Sequence, residues 1–344
     1  MRERVFLLGS GFSRAVGPGM PLLADLSKAV VELLSTRVPG RTPLSAIPGQ
    51  GTPLERDFER WLSFLVDAPP WLSESEQLRN AAAFAEVSWA ASEALRVMQL
   101  ATACEDPPAW LLDLVRFWQS TNATVITFNY DVLIELAWLT VTPASPDRSW
   151  QWLYPAPISP AAARVSAVFG GDVPAAGMRL LKLHGSLNWY YSGTGSSPAD
   201  QVFDVGVKGP WSPDGPLPFY DDSERLVADK VPLIVPPTAV KTAFYSNHIL
   251  ANLWRQAGDA LWSADELVVM GFSLPASDQL VSSMLSTSLD PDAIVVLVDV
   301  SDDCATRFAG VIGDDLTSPD SRVEMAFIRP HNPIDAWVQT CAGS

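Results

Sequence analysis

Short apolar runs that stop at small or polar residues constrain this chain more than any other feature. Val5–Leu8 stops at Gly9-Ser10-Gly11, Ala123–Thr127 at Phe128-Asn129-Tyr130-Asp131, Arg179–Leu183 at His184-Gly185-Ser186, Leu267–Met270 at Gly271-Phe272-Ser273, and Ala293–Val298 at Asp299. Runs of this length bounded by turn residues read as buried strands. Helical spacing fills the gaps between them. Leu22, Leu23, Leu26, Val30 and Leu33 follow Pro21, and Asn247–Trp262 carries Leu250, Leu253, Trp254, Ala257 and Leu261 on one stripe. With Leu233–Val235 and Val323–Phe327 as further strands, the pattern predicts an α/β fold built on a doubly wound parallel sheet of about six strands.

Long segments interrupt that alternation. Residues from about 37 to 54 are rich in Pro, Gly and Thr and read as a loop. Beyond it Phe58, Trp61, Leu62 and Leu65 make one apolar stripe, Ser73 and Glu76 form a capping box before an Ala-rich helix, and Pro107-Pro108 separate that helix from the next, starting at Trp110. The reading is one domain over 1–344. Its α/β core takes about 1–36, 119–190 and 231–344, an all-helical subdomain is inserted at about 37–118, and an irregular insertion lies at about 191–230.

Composition narrows the function classes. Apolar residues are 48% of the chain, enough for a sizeable core, and the formal charge is −16. Lys and Arg are scattered, so a phosphate backbone is repelled and direct nucleic-acid binding is disfavoured. Cys104, Cys304 and Cys341 lie far apart, which offers no zinc-ligand spacing and suits a reducing compartment. No apolar run approaches the roughly 18 residues of a spanning helix, and the N-terminal run is too short for a signal peptide. A cytoplasmic protein without membrane contact is expected.

In a doubly wound sheet, ligands bind beyond the carboxyl ends of the strands. That rule directs attention to the residues that end the runs. Gly9 and Gly11 let backbone approach a phosphate and Ser13 adds a hydroxyl, but Arg14 stands where G-x-G-x-x-G needs its last glycine, so a simple tight turn explains the segment equally. Asn129 and Asp131 suit a ligand site or the cap of the following helix. His184 is one of only three histidines; it is either structural or a base, with Gly185 leaving space for a substrate. Asp299 can accept from a ribose hydroxyl or cap a helix, since Asp302 and Asp303 follow.

Taken together, Leu7-Leu-Gly-Ser-Gly-Phe-Ser13, Thr127-Phe-Asn-Tyr-Asp131, Leu183-His-Gly-Ser186, Ile234-Val-Pro-Pro237 and Val268-Val-Met-Gly-Phe-Ser-Leu274 with Asp278 resemble, in this order, the sirtuin family, specifically its zinc-free bacterial branch. That branch looks like the NAD hydrolases of anti-phage defence. The resemblance implies a Rossmann-like core that takes NAD as substrate and needs no metal. It implies that Gly9, Ser10, Gly11, Phe12 and Ser13 wrap the pyrophosphate and that Asn129 orients the nicotinamide ribose and the attacking water. Asp131 would support that pocket, and His184 would act as base toward a ribose hydroxyl or the nucleophile. Gly271 and Ser273 would contact phosphate or ribose, and Asp299 the adenosine end.

The chemistry is compatible with those residue types. Cleaving the nicotinamide–ribose bond builds an oxocarbenium-like centre, and nicotinamide leaves without protonation. The protein has only to hold the ribose, exclude bulk water and place one nucleophile. The resemblance further implies a homo-oligomer controlled by a partner protein, for example an ATPase or nuclease subunit, because the chain is expected to have no room for a separate sensor domain. Two other readings use the same pocket: an NAD-dependent protein deacylase or ADP-ribosyltransferase, and a non-catalytic NAD-binding scaffold subunit. The chain lacks the four-cysteine zinc module of the deacylating sirtuins.

Overall fold

The computed structural model describes residues 3–36, 58–66, 69–142, 153–156, 158–160, 177–191, 201–205, 211, 230–235 and 247–342. Its centre is a six-stranded, all-parallel sheet. The strands are β1 (Arg4–Leu8), β2 (Thr124–Thr127), β4 (Arg179–Lys182), β8 (Glu266–Met270), β9 (Ile294–Asp299) and β10 (Val323–Ile328), in the spatial order β10-β9-β8-β1-β2-β4. From β1 the chain builds outward through β2 to β4, then crosses to the other side of β1 and builds through β8 and β9 to β10. This is the Rossmann-like doubly wound order, and its direction reverses between β1 and β8. Nearly every side chain of β1, β2, β8 and β9 is buried, which explains runs without polar alternation.

Register puts the strand ends level. Leu8 pairs with Thr127 and with Met270, Thr127 with Lys182, and Met270 with Val298. The residues that follow, Gly9, Phe128, Leu183, Gly271 and Asp299, therefore share one rim. The sheet core is aromatic: Phe6 meets Trp118 edge-on at 5.4 Å and Trp337 at 5.5 Å, all three fully buried.

Among the described residues, six helices precede residue 143. They are α1 (Ser10–Val16), α2 (Leu23–Thr36), α3 (Phe58–Val66), α4 (Glu74–Ala103), α5 (Ala109–Thr121) and α6 (Leu133–Val141). The predicted start of α4 is observed: the Ser73 amide and hydroxyl both donate to Glu76 Oε2, at 2.8 and 2.6 Å. Those bonds hold the Glu76 carboxyl below its usual range. Helices α2, α3 and α4 share a separate apolar core with Leu187 and Ile234, whereas Leu111, Leu114, Val115 and Trp118 of α5 belong to the core of the sheet. The later helices are α7 (His248–Trp262), α8 (Gln279–Ser288), α9 (Ala305–Ile312) and α10 (Pro333–Trp337). Asn247 caps α7, accepting from the amides of Ile249 and Leu250. Among the described residues, no helix is long and apolar enough to cross a membrane.

Two expectations change. The segment after β1 is more than a tight turn, because the helix α1 begins at Ser10. The run at Leu233 does not join the parallel sheet. It forms β7 (Val231–Ile234), antiparallel to β5 (Gly185–Tyr191), in a second sheet ordered β3-β6-β5-β7, with β3 (Ser159–Pro160) and β6 (Phe203–Asp204). A short apolar run carries no information about its partner strand, and Tyr190 and Tyr191 supply the pairing that the sequence leaves unstated. Most of the 143–176 and 191–230 segments, and Pro236-Pro237, lie outside the described residues.

Candidate active site

The rim is built around a glycine junction at the reversal point between β1 and β8. The Gly11 amide donates to the Gly271 carbonyl at 2.9 Å, and the Gly9 amide to the Met270 carbonyl at 3.2 Å. Gly271 has φ +62°, and a Cβ there would lie 2.2 Å from the Phe12 nitrogen. The absent side chains of Gly9, Gly11 and Gly271 are thus used first to let the two strand ends touch. Phe12 turns into the core, 1% exposed, edge-on to Trp110 at 5.7 Å. Ser10 and Ser273 flank the junction and are both exposed, and the Ser273 carbonyl accepts from Arg307 Nε at 2.7 Å.

Beside the junction, Ser13, Asn129 and Asp131 form one connected group although they come from different elements. Asn129 Nδ2 donates to the Gly9 carbonyl at 2.8 Å and to Ser13 Oγ at 2.9 Å, and Ser13 Oγ donates to Asp131 Oδ2 at 2.6 Å. The directions follow from chemistry. A carbonyl only accepts, so the Asn129 nitrogen must face Gly9; an ionised carboxylate only accepts, so the Ser13 hydrogen must face Asp131. Both amide hydrogens of Asn129 are therefore engaged inward, and the group left for a ligand is the carbonyl oxygen Oδ1. Of the two roles that the sequence left open, Asp131 meets the start of the following helix: its Oδ1 accepts from the Leu133 amide at 3.2 Å at the start of α6. Burial raises its carboxyl above the usual range, against the opposing pull of Lys182 and the Ser13 hydrogen bond.

His184 sits two residues beyond Lys182, the last residue of β4, and is buried among rings. Its centroid lies 5.0 Å from Phe128, 6.4 Å from Tyr130 in a stacked arrangement, and 6.3 Å from Trp254. Phe128 and Tyr130 flank Asn129 in sequence, so the imidazole packs on both neighbours of the amide. Gly185 does not leave space for a substrate. Its φ is +82°, and a Cβ would come within 2.0 Å of the Leu233 carbonyl, so β7 fills that space. Asp299 caps no helix: α9 begins at Ala305, and the carboxylate accepts from the Val300 amide at 2.7 Å. Burial raises its carboxyl too, while its charge helps push the neighbouring Cys304 thiol, itself desolvated, to about 11.

Several supporting residues escaped the sequence reading. Gln99, fully buried in α4, accepts from the Val132 amide at 2.7 Å and so ties the helical part to the Asn129–Asp131 turn. Trp254 donates its indole N–H to the Leu183 carbonyl at 3.1 Å. Lys182 and Glu135 make a buried ion pair at 2.9 Å. Gln99 carries no signal in an Ala-rich helix. Lys182 and Glu135 do, because each is a charge flanked on both sides by apolar residues.

No family model matches the sequence, and no curated protein does. Among solved structures the chain is similar to a Sir2 homologue in complex with NAD, at 14% identity over 98% of this chain and 88% of that one, with a TM-score of 0.44. It is similar to Sir2Tm bound to a propionylated peptide at 16% identity, 99% and 94% coverage and a TM-score of 0.43. It is also similar to a histidine-to-asparagine mutant of a Sir2 homologue in complex with ADP-ribose, at 13% identity, 98% and 91% coverage and a TM-score of 0.42.

Proposed function

We propose that the chain is an NAD hydrolase that cleaves the nicotinamide–ribose bond at the rim carrying Asn129 and His184. The observation that carries this reading is the fixed amide of Asn129, whose N–H groups are held by Gly9 and Ser13 so that an oriented acceptor remains at the carboxyl end of β2. Such an acceptor holds a hydroxyl or a water by its hydrogen without adding charge. In the step proposed, the bond between nicotinamide N1 and ribose C1′ breaks with its electron pair going to nicotinamide. A water oxygen bonds to C1′, and His184 removes the proton, directly or by way of a ribose hydroxyl. ADP-ribose and nicotinamide are the products.

The rest of the dinucleotide is assigned along the same rim. The pyrophosphate is placed over the glycine junction, with the backbone of Gly9–Ser13 and Gly271 beneath it and the exposed hydroxyls of Ser10 and Ser273 beside it. Asp299, at the end of β9, takes the adenosine ribose. Ser13 and Asp131 act through Asn129. The sequence resemblance to the zinc-free bacterial branch extends the proposal to an NAD-depleting effector of anti-phage defence, working as a homo-oligomer under a partner protein. Purified protein incubated with NAD, alone and with its neighbouring gene product, should release nicotinamide and ADP-ribose in equal amounts. Asn129→Ala should remain folded and lose about 10²-fold or more of that rate. Nicotinamide release that depends on an acylated peptide, or an Asn129→Ala protein with normal turnover, would overturn the hydrolase reading.

A further inference from the structure

We propose that Lys182 is a positioning residue that clamps the backbone of the Asn129–Asp131 turn and so fixes where Asn129 stands relative to His184. An ammonium has three donors and no acceptor. Here they go to three places: the Tyr130 carbonyl at 3.4 Å, the Asp131 carbonyl in a short contact, and Glu135 Oε1 at 2.9 Å. Both side chains of the ion pair are 1% exposed. Glu135 lies in the first turn of α6, which follows the turn directly, and its Oε1 also accepts from the Tyr154 hydroxyl at 2.7 Å. One side chain thus gathers the turn and the helix after it.

The origin of Lys182 gives the clamp its purpose. It ends β4 opposite Thr127, the last residue of β2, and the Leu183 amide donates to the Thr127 carbonyl at 3.0 Å. His184 comes next. The clamp and the imidazole therefore ride on one short stretch of chain, and the carbonyls that Lys182 holds belong to the two residues after Asn129. A buried ion pair is poor evidence of stabilisation, because well-packed apolar residues of similar volume commonly replace one without loss. Holding carbonyls in a turn is different, since no apolar side chain can do it.

This inference rests on the NAD-cleaving reading for its consequence in turnover but not for the clamp itself, and the test separates the two. The double variant Lys182→Met/Glu135→Leu removes both charges together. Its melting temperature should fall by no more than about 8 °C, because losing the charges offsets part of the cost of leaving the turn carbonyls without a donor. In the ligand-free protein, backbone hydrogen exchange over 128–133 should rise about tenfold while β1, β8 and β9 keep their protection. Single-turnover NAD cleavage should fall about 10- to 100-fold, with NAD affinity within about threefold. Unchanged exchange in 128–133 would overturn the clamp. Raised exchange with normal turnover would overturn its positioning role. If the double variant does not fold, Lys182→Gln, which keeps a polar side chain but loses the ammonium and its three donors, is read the same way at smaller amplitude. If the parent releases no nicotinamide, the hydrolase reading fails while exchange still decides the clamp.

Discussion

A single hydroxyl decides what Asn129 can offer. Ser13 accepts from the Asn129 amide and donates to Asp131, so the carboxylate determines the direction of the whole chain of bonds. Asp131→Asn is expected to lower NAD cleavage about 10- to 100-fold by loosening that direction. Its effect on stability has the opposite sense. The folded carboxyl is raised above its unfolded value, so its ionisation costs stability in full above the folded pKa, and the cost disappears below the unfolded one. Denaturant unfolding across pH should show the Asn variant at its most favourable relative to the parent near neutrality, the gap closing on acidification. His184 answers a separate question. If it is the base, His184→Gln should cut the single-turnover rate by roughly 10²–10⁴ while NAD binding falls far less. A Gln variant that binds and cleaves normally removes His184 from the chemistry.

Among the elements, α7 supports the imidazole from outside the rim. Asn247 starts it and Trp254, two turns on, holds the Leu183 carbonyl beside His184. Asn247→Ala should cost about 1–2 kcal/mol in denaturant unfolding. Trp254→Phe should lower NAD cleavage about tenfold, because the carbonyl next to the base loses its donor. Asn247 and the helix it starts were legible in the sequence, as were the capping box at Ser73–Glu76 and the strands ending at Gly9, Phe128, His184, Gly271 and Asp299. Local chemistry sets those features. The second sheet was not legible, since β7 looks like any buried strand and only its pairing with Gly185, Tyr190 and Tyr191 of β5 assigns it. The function of Gly185 was misread for the same reason. The inward direction of the Phe12 side chain was not legible either, because a sequence does not show which way the first turn of α1 faces.

For the molecule as a whole, charge and thiol placement set the outward behaviour. Scattered cysteines and histidines leave no group of three or more metal-ligating side chains among the described residues. From the wide spacing of the cysteines in the sequence, the proposed NAD cleavage is expected to persist in excess chelator, and activity abolished by chelation and restored by zinc would contradict that expectation. The connection of the α2–α4 core to the rim through Gln99 was invisible in the sequence, because it joins residues far apart along the chain.

Gln99 also ties the rim to a helix with an accessible end. Cys104 caps the C-terminus of this helix, is exposed, and lies little more than one turn beyond the glutamine that touches the Asn129–Asp131 turn. Cys304 is buried with its thiol near 11, and the Cys341 thiol is raised by burial. A thiol-reactive dye at mildly alkaline pH should therefore mark Cys104 first, as peptide mapping of the labelled protein would show. The unmodified sequence thus carries its own attachment point for a reporter, and a change in dye emission on adding NAD would register occupancy of the rim without any engineered residue.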